Sequence, residues 1–564
     1  MKKILLIACG MAAAALPGSA KWGTDAAGAI EVFPEGTLSY STELATTPDG
    51  GVWATIYHPN LEKAEGEGDI RNVVYEYRLQ YWDKNGNPAF APEGMLVSNF
   101  KNKSYTVVNN LLSTDAEGNA LLCVSDCRNS AEQDMSYTAY KVSPAGEMLW
   151  SEEGKPITDP LNPADFGAMI TAVPLEDGSF VFSWIEGTND GATNVMLQRL
   201  DKDGNMQWDQ KKVSVTDEVS SNPYLIPSGD NTCILVYTRT TSDVVYARKL
   251  DFEGSNVWGK DTRVYRGGWG TIPLHTLLRV VPSGNGGALI SWNDDRHNTN
   301  IESAFLSYIT PDGKLGFGNV SDEGDVKLGY SGLRCFNVCA APATDGSCFY
   351  AAWRETNTGQ SWQGLRMQKI SPEGELLWGD DGLDYVPLDQ KSIGYISLQS
   401  AAENEVMLFH EEYYEYFDQA AYASLLDTEG KNVWKEGTIA LSRRNRQATQ
   451  LKSLPLPGAK SWVYYWNDQD GIPDAEVCTR MGLLNIDGTF GDGSTGIETV
   501  TDESGVTVRG NRVYADGNSL RVFDTSGRNV LSTALTDGIA ELTLPAGLYI
   551  GTVDNDKSFK IIIK

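Results

Sequence analysis

Histidine and cysteine are scarce in this chain, and long apolar runs are nearly absent from it. The 564 residues include four histidines and eight cysteines, with no GxSxG elbow, HExxH pair, P-loop or CxxC pair. The usual serine-hydrolase, metalloprotease, nucleotide-binding and zinc motifs are therefore excluded. Beyond the N-terminus no stretch reaches the ~20 apolar residues that a membrane span requires. No stretch there has a long helical apolar period, so short strands and turns are expected.

Positive charge is also in short supply. The chain carries 75 acidic and 46 basic residues, a net charge of −29 at neutral pH. Such a balance disfavours binding to nucleic acid or anionic lipid and suits an exported, soluble protein or one that recruits cations. The 57 glycines and the 41% hydrophobic content suit a large all-β protein with several cores.

A phrase of the form Asp-x-x-Gly-x-x-x-Trp recurs eight times and sets the architecture. Its glycines lie 50 to 61 residues apart, at Gly86, Gly146, Gly204, Gly254, Gly313, Gly374, Gly430 and Gly488. Four residues after the glycine stands an aromatic residue in seven copies, namely Phe90, Trp150, Trp208, Trp258, Phe317, Trp378 and Trp434. An alternating apolar segment precedes each glycine, so each copy predicts a strand, a tight turn and a strand.

A second phrase lies between these copies: a turn rich in Gly and Asp, followed by a strand that usually ends in an aromatic residue. DGSFVFSW ending at Trp184 and GGALISW ending at Trp292 are examples. One repeat therefore holds four strands, a to d, within about 57 residues. Such a unit cannot bury both faces alone, which predicts a closed ring of four-stranded blades with strand a innermost.

Eight copies predict an eight-bladed β-propeller over residues 21–495. The last copy is degenerate, with Phe490 and Asp492 after its glycine, so a seven-bladed ring with a divergent extra unit stays open. The segment AIEVFPEG, residues 29–36, is a candidate for the outer strand of the last blade and would close the ring.

These repeats resemble those of secreted β-propeller proteins of the Bacteroidetes, which combine a GGxxxxW strand with a strand leading to LDxxGxxxW. They also resemble, more loosely, the tryptophan-docking repeats of quinoprotein and outer-membrane assembly propellers. The resemblance covers roughly residues 35–495. It implies a fold in which the repeat tryptophans dock neighbouring blades, and it does not imply a function.

The N-terminus has the pattern of an export signal. Lys2 and Lys3 precede an apolar run, and Gly18-Ser19-Ala20 offers small residues at a cleavage site. Residues 1–20 are therefore expected to be a signal peptide that is cleaved near Ala20. In an alternative interpretation, residues 6–9 form a lipobox and Cys9 carries a lipid anchor.

Seven cysteines follow this leader, so they cannot all pair. Cys339 and Cys348 flank a predicted hairpin turn and form the only plausible disulfide. The alternative, which the composition favours, is that all seven are small buried core residues.

A different domain follows the repeats. Residues 496–504 are a predicted linker, and residues 505–564 read as a small Ig-like β-sandwich of about seven short strands. This segment resembles the type A sorting domain of the type IX secretion system, in which three motifs recur in order. The matching residues are Val522, Asp524, Gly527 and Arg528, then Gly547, Tyr549 and Val553, then Lys560 and Lys564. The resemblance implies export by the type IX machinery, followed by release or attachment at the outer-membrane surface.

The connections between strands b and c are long and varied, so they mark one face of the ring as the candidate binding face. Charged and aromatic side chains gather where strand b enters these loops. Aromatic platforms beside carboxylates suit sugar recognition. The candidate binding residues are Trp269, Trp362, Tyr413, Asp294, Arg296, Glu411 and Asp468. In an alternative interpretation, these strand-end charges simply pair with one another.

The sequence thus predicts a binding module for a glycan, peptide or protein, without an assigned catalytic residue, metal site or cofactor. The alternative is a polysaccharide hydrolase or lyase with carboxylates in the central funnel. DKNGN at Asp83 and DKDGN at Asp201 resemble the start of a calcium loop, but they have Gly94 and Lys212 at the twelfth position. They are predicted to be hairpin turns, and weak calcium binding stays open.

Overall fold

In this computed structural model, the residues whose placement is described are 22–34, 42–60, 73–102, 110–128, 136–158, 166–187, 193–209, 211–212, 219–239, 244–266, 278–296, 301–318, 320, 324–329, 332–415, 418–435, 437–444, 446–470, 476–491, 506–509, 512–515, 517–524, 527–536, 538–545, 547–554 and 557–563. The described chain divides into two compact units, residues 1–488 and residues 489–564. Its helical residues form two three-residue turns, Ala26–Gly28 and Ala402–Asn404. No described helix is long and apolar enough to cross a membrane.

Eight antiparallel sheets make up the larger unit, numbered here in the chain order of their innermost strands. Strands are given from the innermost outwards. Sheet 1 is β2 (Glu43–Thr46), β3 (Val52–Asn60), β4 (Val73–Trp82) and β5 (Met95–Ser98), with β6 (Lys101–Asn102) also paired to β4. Sheet 2 is β7 (Asn110–Thr114), β8 (Ala120–Asp126), β9 (Ser136–Val142) and β10 (Lys155–Pro156). Sheet 3 is β11 (Phe166–Pro174), β12 (Phe180–Gly187), β13 (Thr193–Leu200) and β14 (Lys211–Lys212). Sheet 4 is β15 (Ser220–Gly229), β16 (Thr232–Arg239), β17 (Val244–Leu250) and β18 (Thr262–Arg266).

The second half of the unit repeats this plan. Sheet 5 is β19 (Arg279–Pro282), β20 (Ala288–Asp294), β21 (Ser303–Ile309) and β22 (Asp325–Lys327). Sheet 6 is β23 (Arg334–Pro342), β24 (Phe349–Thr356), β25 (Gln363–Ile370) and β26 (Leu383–Asp389). Sheet 7 is β27 (Ser392–Ser400), β28 (Val406–Glu415), β29 (Asp418–Leu426) and β30 (Ile439–Ala440). Sheet 8 is β31 (Arg446–Pro455), β32 (Ser461–Asp470), β33 (Val477–Asn485) and β1 (Ile30–Glu31).

The innermost strand of each sheet lies beside that of the next, and β31 lies beside β2, which closes a ring. The prediction of an all-β propeller is confirmed. The N-terminal strand closes the ring as the sequence suggested, because Ile30 of β1 pairs with Met481 of β33. Val32 and Phe33 then enter a core shared by sheets 8 and 1.

The Asp-x-x-Gly phrase folds as a hairpin turn for a local reason. Gly86 takes a φ of 81°, a left-handed conformation that glycine adopts without strain. Its N–H donates to the Asp83 carbonyl, and the Asp83 carboxylate accepts the N–H groups of Asn85 and Asn87. These carboxylates therefore brace the turn, as expected for hairpins, and the described residues contain no cluster of three metal-ligating side chains.

The repeat aromatics dock one sheet onto the next. Trp150 donates its indole N–H to the Lys202 carbonyl at 2.9 Å, which lies in the turn of the following copy, and Trp434 does the same to Ile486 at 2.8 Å. The eighth copy lacks an aromatic residue at this position. Trp22 takes its place, because its indole N–H donates to the Lys84 carbonyl in the first turn at 2.9 Å.

The seven cysteines among the described residues are all buried. Cys339 lies opposite Ala352 in the sheet rather than opposite Cys348. They therefore serve as small core residues, and burial raises the pKa of the Cys233 thiol to about 12.

The smaller unit has seven described strands in two sheets. One sheet joins β34 (Thr507–Arg509), β35 (Arg512–Tyr514) and β38 (Ile539–Glu541). The other joins β37 (Asn529–Ala534), β36 (Ser519–Asp524), β39 (Gly547–Val553) and β40 (Lys557–Ile563). Their side chains share one apolar core.

The residues that match the sorting motif shape this smaller unit. The Gly527 N–H donates to the Asp524 carbonyl in a turn that the Arg528–Asp524 ion pair closes. The Tyr549 hydroxyl donates to the Pro545 carbonyl at 2.9 Å, and Gly547 approaches its ring. The backbone of Lys560 pairs with Ile550.

Candidate functional site

A recurring clamp occupies the end of strand b in most sheets. Its centre is an aspartate or glutamate two residues after a ring side chain. In four sheets the ring is an indole whose N–H donates to the acid: Trp184 to Glu186, Trp292 to Asp294, Trp353 to Glu355 and Trp466 to Asp468, at 3.0 to 3.4 Å. Residues two apart on a strand share a face, so the repeat itself brings these groups together.

Arginines complete the clamps. Arg296 donates from Nε and Nη2 to the two carboxylate oxygens of Asp294, and it also forms an ion pair with Asp325 at 2.9 Å. Arg366 pairs with Glu355 at 2.8 Å. Sheet 4 reverses the charges, because Arg239 stands at the acid position and pairs with Asp261. These strand-end charges are thus tied into ion pairs within the ring.

Asp468 binds three side chains at once. It is 3% exposed and accepts from Arg446 at 2.7 Å and from Arg480 at 2.8 Å, in addition to the Trp466 indole. Asp294 is 1% exposed. The structure therefore places Asp294, Arg296 and Asp468, three of the predicted binding residues, in internal ion pairs.

Sheet 7 contains a variant of the clamp with histidine in place of tryptophan. The Glu412 carboxylate accepts from the Tyr414 hydroxyl at 2.6 Å and from Lys391 at 3.1 Å, and it lies 3.4 Å from His410 Nε2. Burial opposes ionisation of Glu412, but these hydrogen bonds outweigh it and lower its pKa to about 2.

We expect Glu412→Gln to destabilise the protein in a pH-dependent way. The pKa of Glu412 is lower in the folded state than in the unfolded state. The contribution of its carboxylate to the free energy of unfolding is therefore complete above pH ~4.5 and is lost as the pH falls towards 2. Lowering the pKa of Glu412 from 4.5 to about 2 corresponds to about 3 kcal/mol of stability. Urea unfolding of wild type and variant at pH 7 and pH 2.5 measures it. The difference in the free energy of unfolding between wild type and variant should be much smaller at pH 2.5 than at pH 7. An equal difference at both pH values would show that the ionised Glu412 carboxylate does not stabilise the fold.

A pocket of about 510 Å³ opens beside this clamp at the centre of the ring. It lies on the face of the ring where strand b ends and strand a begins. This is the face that the long connections between strands b and c marked as the candidate binding face. Residues from four consecutive sheets line it: Arg279 from sheet 5, Asn337, Arg354 and Gln363 from sheet 6, Ser392, Ile393, Gly394, Tyr395, Glu411 and Tyr413 from sheet 7, and Thr449 and Gln450 from sheet 8.

One wall of the pocket is formed by a β-bulge at Gly394 and Tyr395 in strand a of sheet 7. Five described inner strands have such a bulge, and in four of them the first bulge residue is Met169, Asn222, Asn337 or Gln450, with φ between 51° and 57°. Sheet 7 has Gly394 there. A side chain at Gly394 would overlap Glu411 Oε2 and the Tyr413 hydroxyl, so glycine lets the backbone approach this pair.

Glu411 is buried and fully hydrogen-bonded. It accepts the Leu451 N–H at 2.6 Å, the Tyr395 N–H at 3.0 Å and the Tyr413 hydroxyl at 2.8 Å. Burial raises its pKa despite these bonds, and burial together with the adjacent Glu411 raises the pKa of Tyr413. Glu411 thereby ties sheet 7 to sheet 8 and keeps the Tyr413 hydroxyl protonated at the pocket wall.

Two of the predicted binding residues, Glu411 and Tyr413, therefore lie in the pocket. Trp362 is 42% exposed and precedes the lining residue Gln363. Trp269 lies outside the described residues. Arg279, Arg354 and Tyr395 also line the pocket and were not among the predicted binding residues. Aligning the repeats with one another would have found Arg354 and Glu411, because the same position of strand b in the other sheets is uncharged: Tyr57, Ser125, Ile185, Thr238, Asn293 and Asn467.

No family model and no curated protein sequence matches this chain. Among solved structures, the Dos1 propeller is 10% identical over 79% of this chain and 94% of its own, with a TM-score of 0.41. An ulvan lyase bound to -[GlcA(1-4)Rha3S]- is 10% identical over 84% and 96%, with a TM-score of 0.40. A protein of unknown function from Dyadobacter fermentans is 12% identical over 57% and 94%, with a TM-score of 0.32. The assignment to the β-propeller class rests on the strand pairing described above.

Proposed function

We propose that this protein is an exported or cell-surface binding module whose ligand, a glycan, peptide or protein segment, enters the central pocket. One observation carries the proposal. The sheets of the ring share one plan, but Arg354 in sheet 6 and Gly394 and Glu411 in sheet 7 depart from it, and sheets 5 to 8 together direct arginine, tyrosine and amide side chains into one cavity. A concave site with a few convergent polar groups is the usual form of a ligand site.

The pocket favours binding over hydrolysis. Glycoside hydrolysis normally uses two carboxylates about 5 to 9 Å apart. Among the described lining residues Glu411 is the single carboxylate, and its oxygens already accept three hydrogen bonds. The other acids at the ends of strand b are held in the clamps.

Export by the type IX machinery is part of the proposal. Two features of the sequence support it: a leader that ends near Ala20 and a C-terminal segment with the sorting motifs. The compact seven-stranded unit of residues 489–564, with its own core, is compatible with a separate sorting domain.

A glycan array and a polysaccharide-depletion assay on the full chain, with release of reducing ends followed in the same samples, test this function. We expect binding without new reducing ends. Trp362→Ala and Tyr413→Phe should each weaken binding about tenfold, because Trp362→Ala removes stacking area and Tyr413→Phe removes a hydroxyl oxygen that can accept a hydrogen bond from the ligand. The control is Leu149→Ala, since Leu149 is also 42% exposed but follows β9 of sheet 2, which contributes no residue to the pocket. New reducing ends would overturn the proposal in favour of a hydrolase or lyase.

A further inference from the structure

Most arginines of the described ring have a carboxylate partner. The pairs with N–O distances below 3.3 Å are Arg78–Glu76, Arg128–Asp126, Arg199–Asp177, Arg248–Asp261, Arg296–Asp294, Arg334–Glu302, Arg366–Glu355, Arg444–Asp418, Arg446–Asp468 and Arg480–Asp468. Arg279 and Arg354 have no carboxylate within ion-pair distance among the described residues. In a chain with a net charge of −29, two arginines that line one pocket without a described carboxylate partner are unusual.

Arg354 is partly buried and has a donor that no described residue satisfies. Its Nη1 donates to the Ile393 carbonyl at 3.1 Å, and its Nε is buried without a hydrogen-bond partner among the described residues. Burial lowers the pKa of this guanidinium. A desolvated donor that has no acceptor is unfavourable unless something else supplies the acceptor.

Arg279 reaches the same strand, β27, from sheet 5, two sheets away in the ring. Its Nη1 donates to the Ile396 carbonyl at 2.5 Å, and its guanidinium carbon lies 5.1 Å from the centre of the Tyr395 ring. The two carbonyl acceptors lie on either side of the Gly394–Tyr395 bulge. Three residues of chain span at most about 11 Å, so the two arginines bracket a short stretch of the pocket wall.

We infer that Arg279 and Arg354 bind an anionic oxygen group of the ligand, a carboxylate or a sulfate, within the central pocket. The inference rests on the proposed binding function and narrows it to acidic ligands. A guanidinium presents a planar fork of donors that matches such groups, and Arg354 has an unused donor. The single negative group among the described lining residues is Glu411, and hydrogen bonds from two other strands and from Tyr413 satisfy its charge. The remaining polar lining groups, such as Asn337, Gln363 and Gln450, are neutral amides suited to hydroxyls.

Binding of full-length protein to four polymers tests the inference: polygalacturonate, its methyl ester, dextran sulfate and dextran. The variants are Arg354→Gln and Arg279→Gln. Arg521→Gln is the control, since it removes the same charge from an exposed position of the smaller unit. We expect the acidic polymers to bind at least tenfold more tightly than their neutral counterparts. Each pocket substitution should remove this preference, and Arg521→Gln should leave it intact. The relative affinity for polygalacturonate and dextran sulfate distinguishes a carboxylate ligand from a sulfate ligand.

A second readout needs no polymer. Sodium galacturonate or sulfate should raise the melting temperature of the wild type above that in sodium chloride of equal ionic strength, and Arg354→Gln should abolish the difference. Without ligand, Arg354→Gln should melt within about 2 °C of the wild type, because no ion pair is lost. Equal binding of acidic and neutral polymers would overturn the inference while the binding function stands. A lack of anion effect in both readouts would also overturn the inference, and failure of every ligand on the array would count against the proposed function.

Discussion

Replacing Asp468 by alanine is expected to destabilise the ring by about 3–5 kcal/mol. The carboxylate is buried and holds Arg446, Arg480 and the Trp466 indole, which belong to all three strands that the chain contributes consecutively to sheet 8. Its removal leaves two partly buried guanidinium groups without their main counter-charge. Breaking a buried pair from one side costs far more than the pair itself contributes.

Urea unfolding at pH 7 measures this loss. Asp312→Ala is the matched control, since Asp312 pairs with Lys314 in an exposed turn and its loss should have no measurable effect. A change for Asp468→Ala as small as for Asp312→Ala would show that the clamp does not support the ring. Asp468 would then return as a candidate ligand residue.

Replacing Trp22 by alanine is expected to cost about 3–5 kcal/mol, the usual range for truncation of a buried tryptophan. Trp22 is 4% exposed and packs with Ile30, Val32 and Phe33 in the core that joins sheets 8 and 1. Its hydrogen bond to Lys84 performs the docking for which the eighth repeat has no aromatic residue. The substitution therefore weakens the seam at which the two ends of the ring meet.

Hydrogen exchange distinguishes this seam from an ordinary core defect. Trp150→Ala removes the same type of docking contact between two consecutive sheets. Trp22→Ala should accelerate exchange in β1, β2 and β33, whereas Trp150→Ala should leave those strands protected. Acceleration spread evenly over the ring in both variants would contradict the role of Trp22 in closure.

The repeat, the strand order and the docking role of the repeat aromatics could be predicted from the sequence, because each depends on a local pattern that recurs. The closing strand was also predictable, since an alternating segment without a partner precedes the first repeat. Trp22 was not found, because it lies outside any copy of the repeat and its role depends on the two chain ends meeting in space.

The residues of the candidate site were harder to predict from the sequence than the fold. Asp294 and Asp468 suggested a binding face because they are charged residues at strand ends. The Trp-x-acid spacing, in which both side chains share one strand face, indicated an internal clamp instead. Arg354 stands out only when the repeats are compared with one another, and the hydrogen bond of Arg279 to the strand of sheet 7 is a property of the folded ring.

The measurement that tests the central pocket most directly is hydrogen exchange of the full-length protein with and without polygalacturonate. We predict slower exchange at residues 392–395 and 449–451, which form the pocket wall in sheets 7 and 8, and no such protection in Arg354→Gln. Protection confined to another part of the ring, or equal protection in wild type and variant, would contradict the assignment of this pocket as the ligand site.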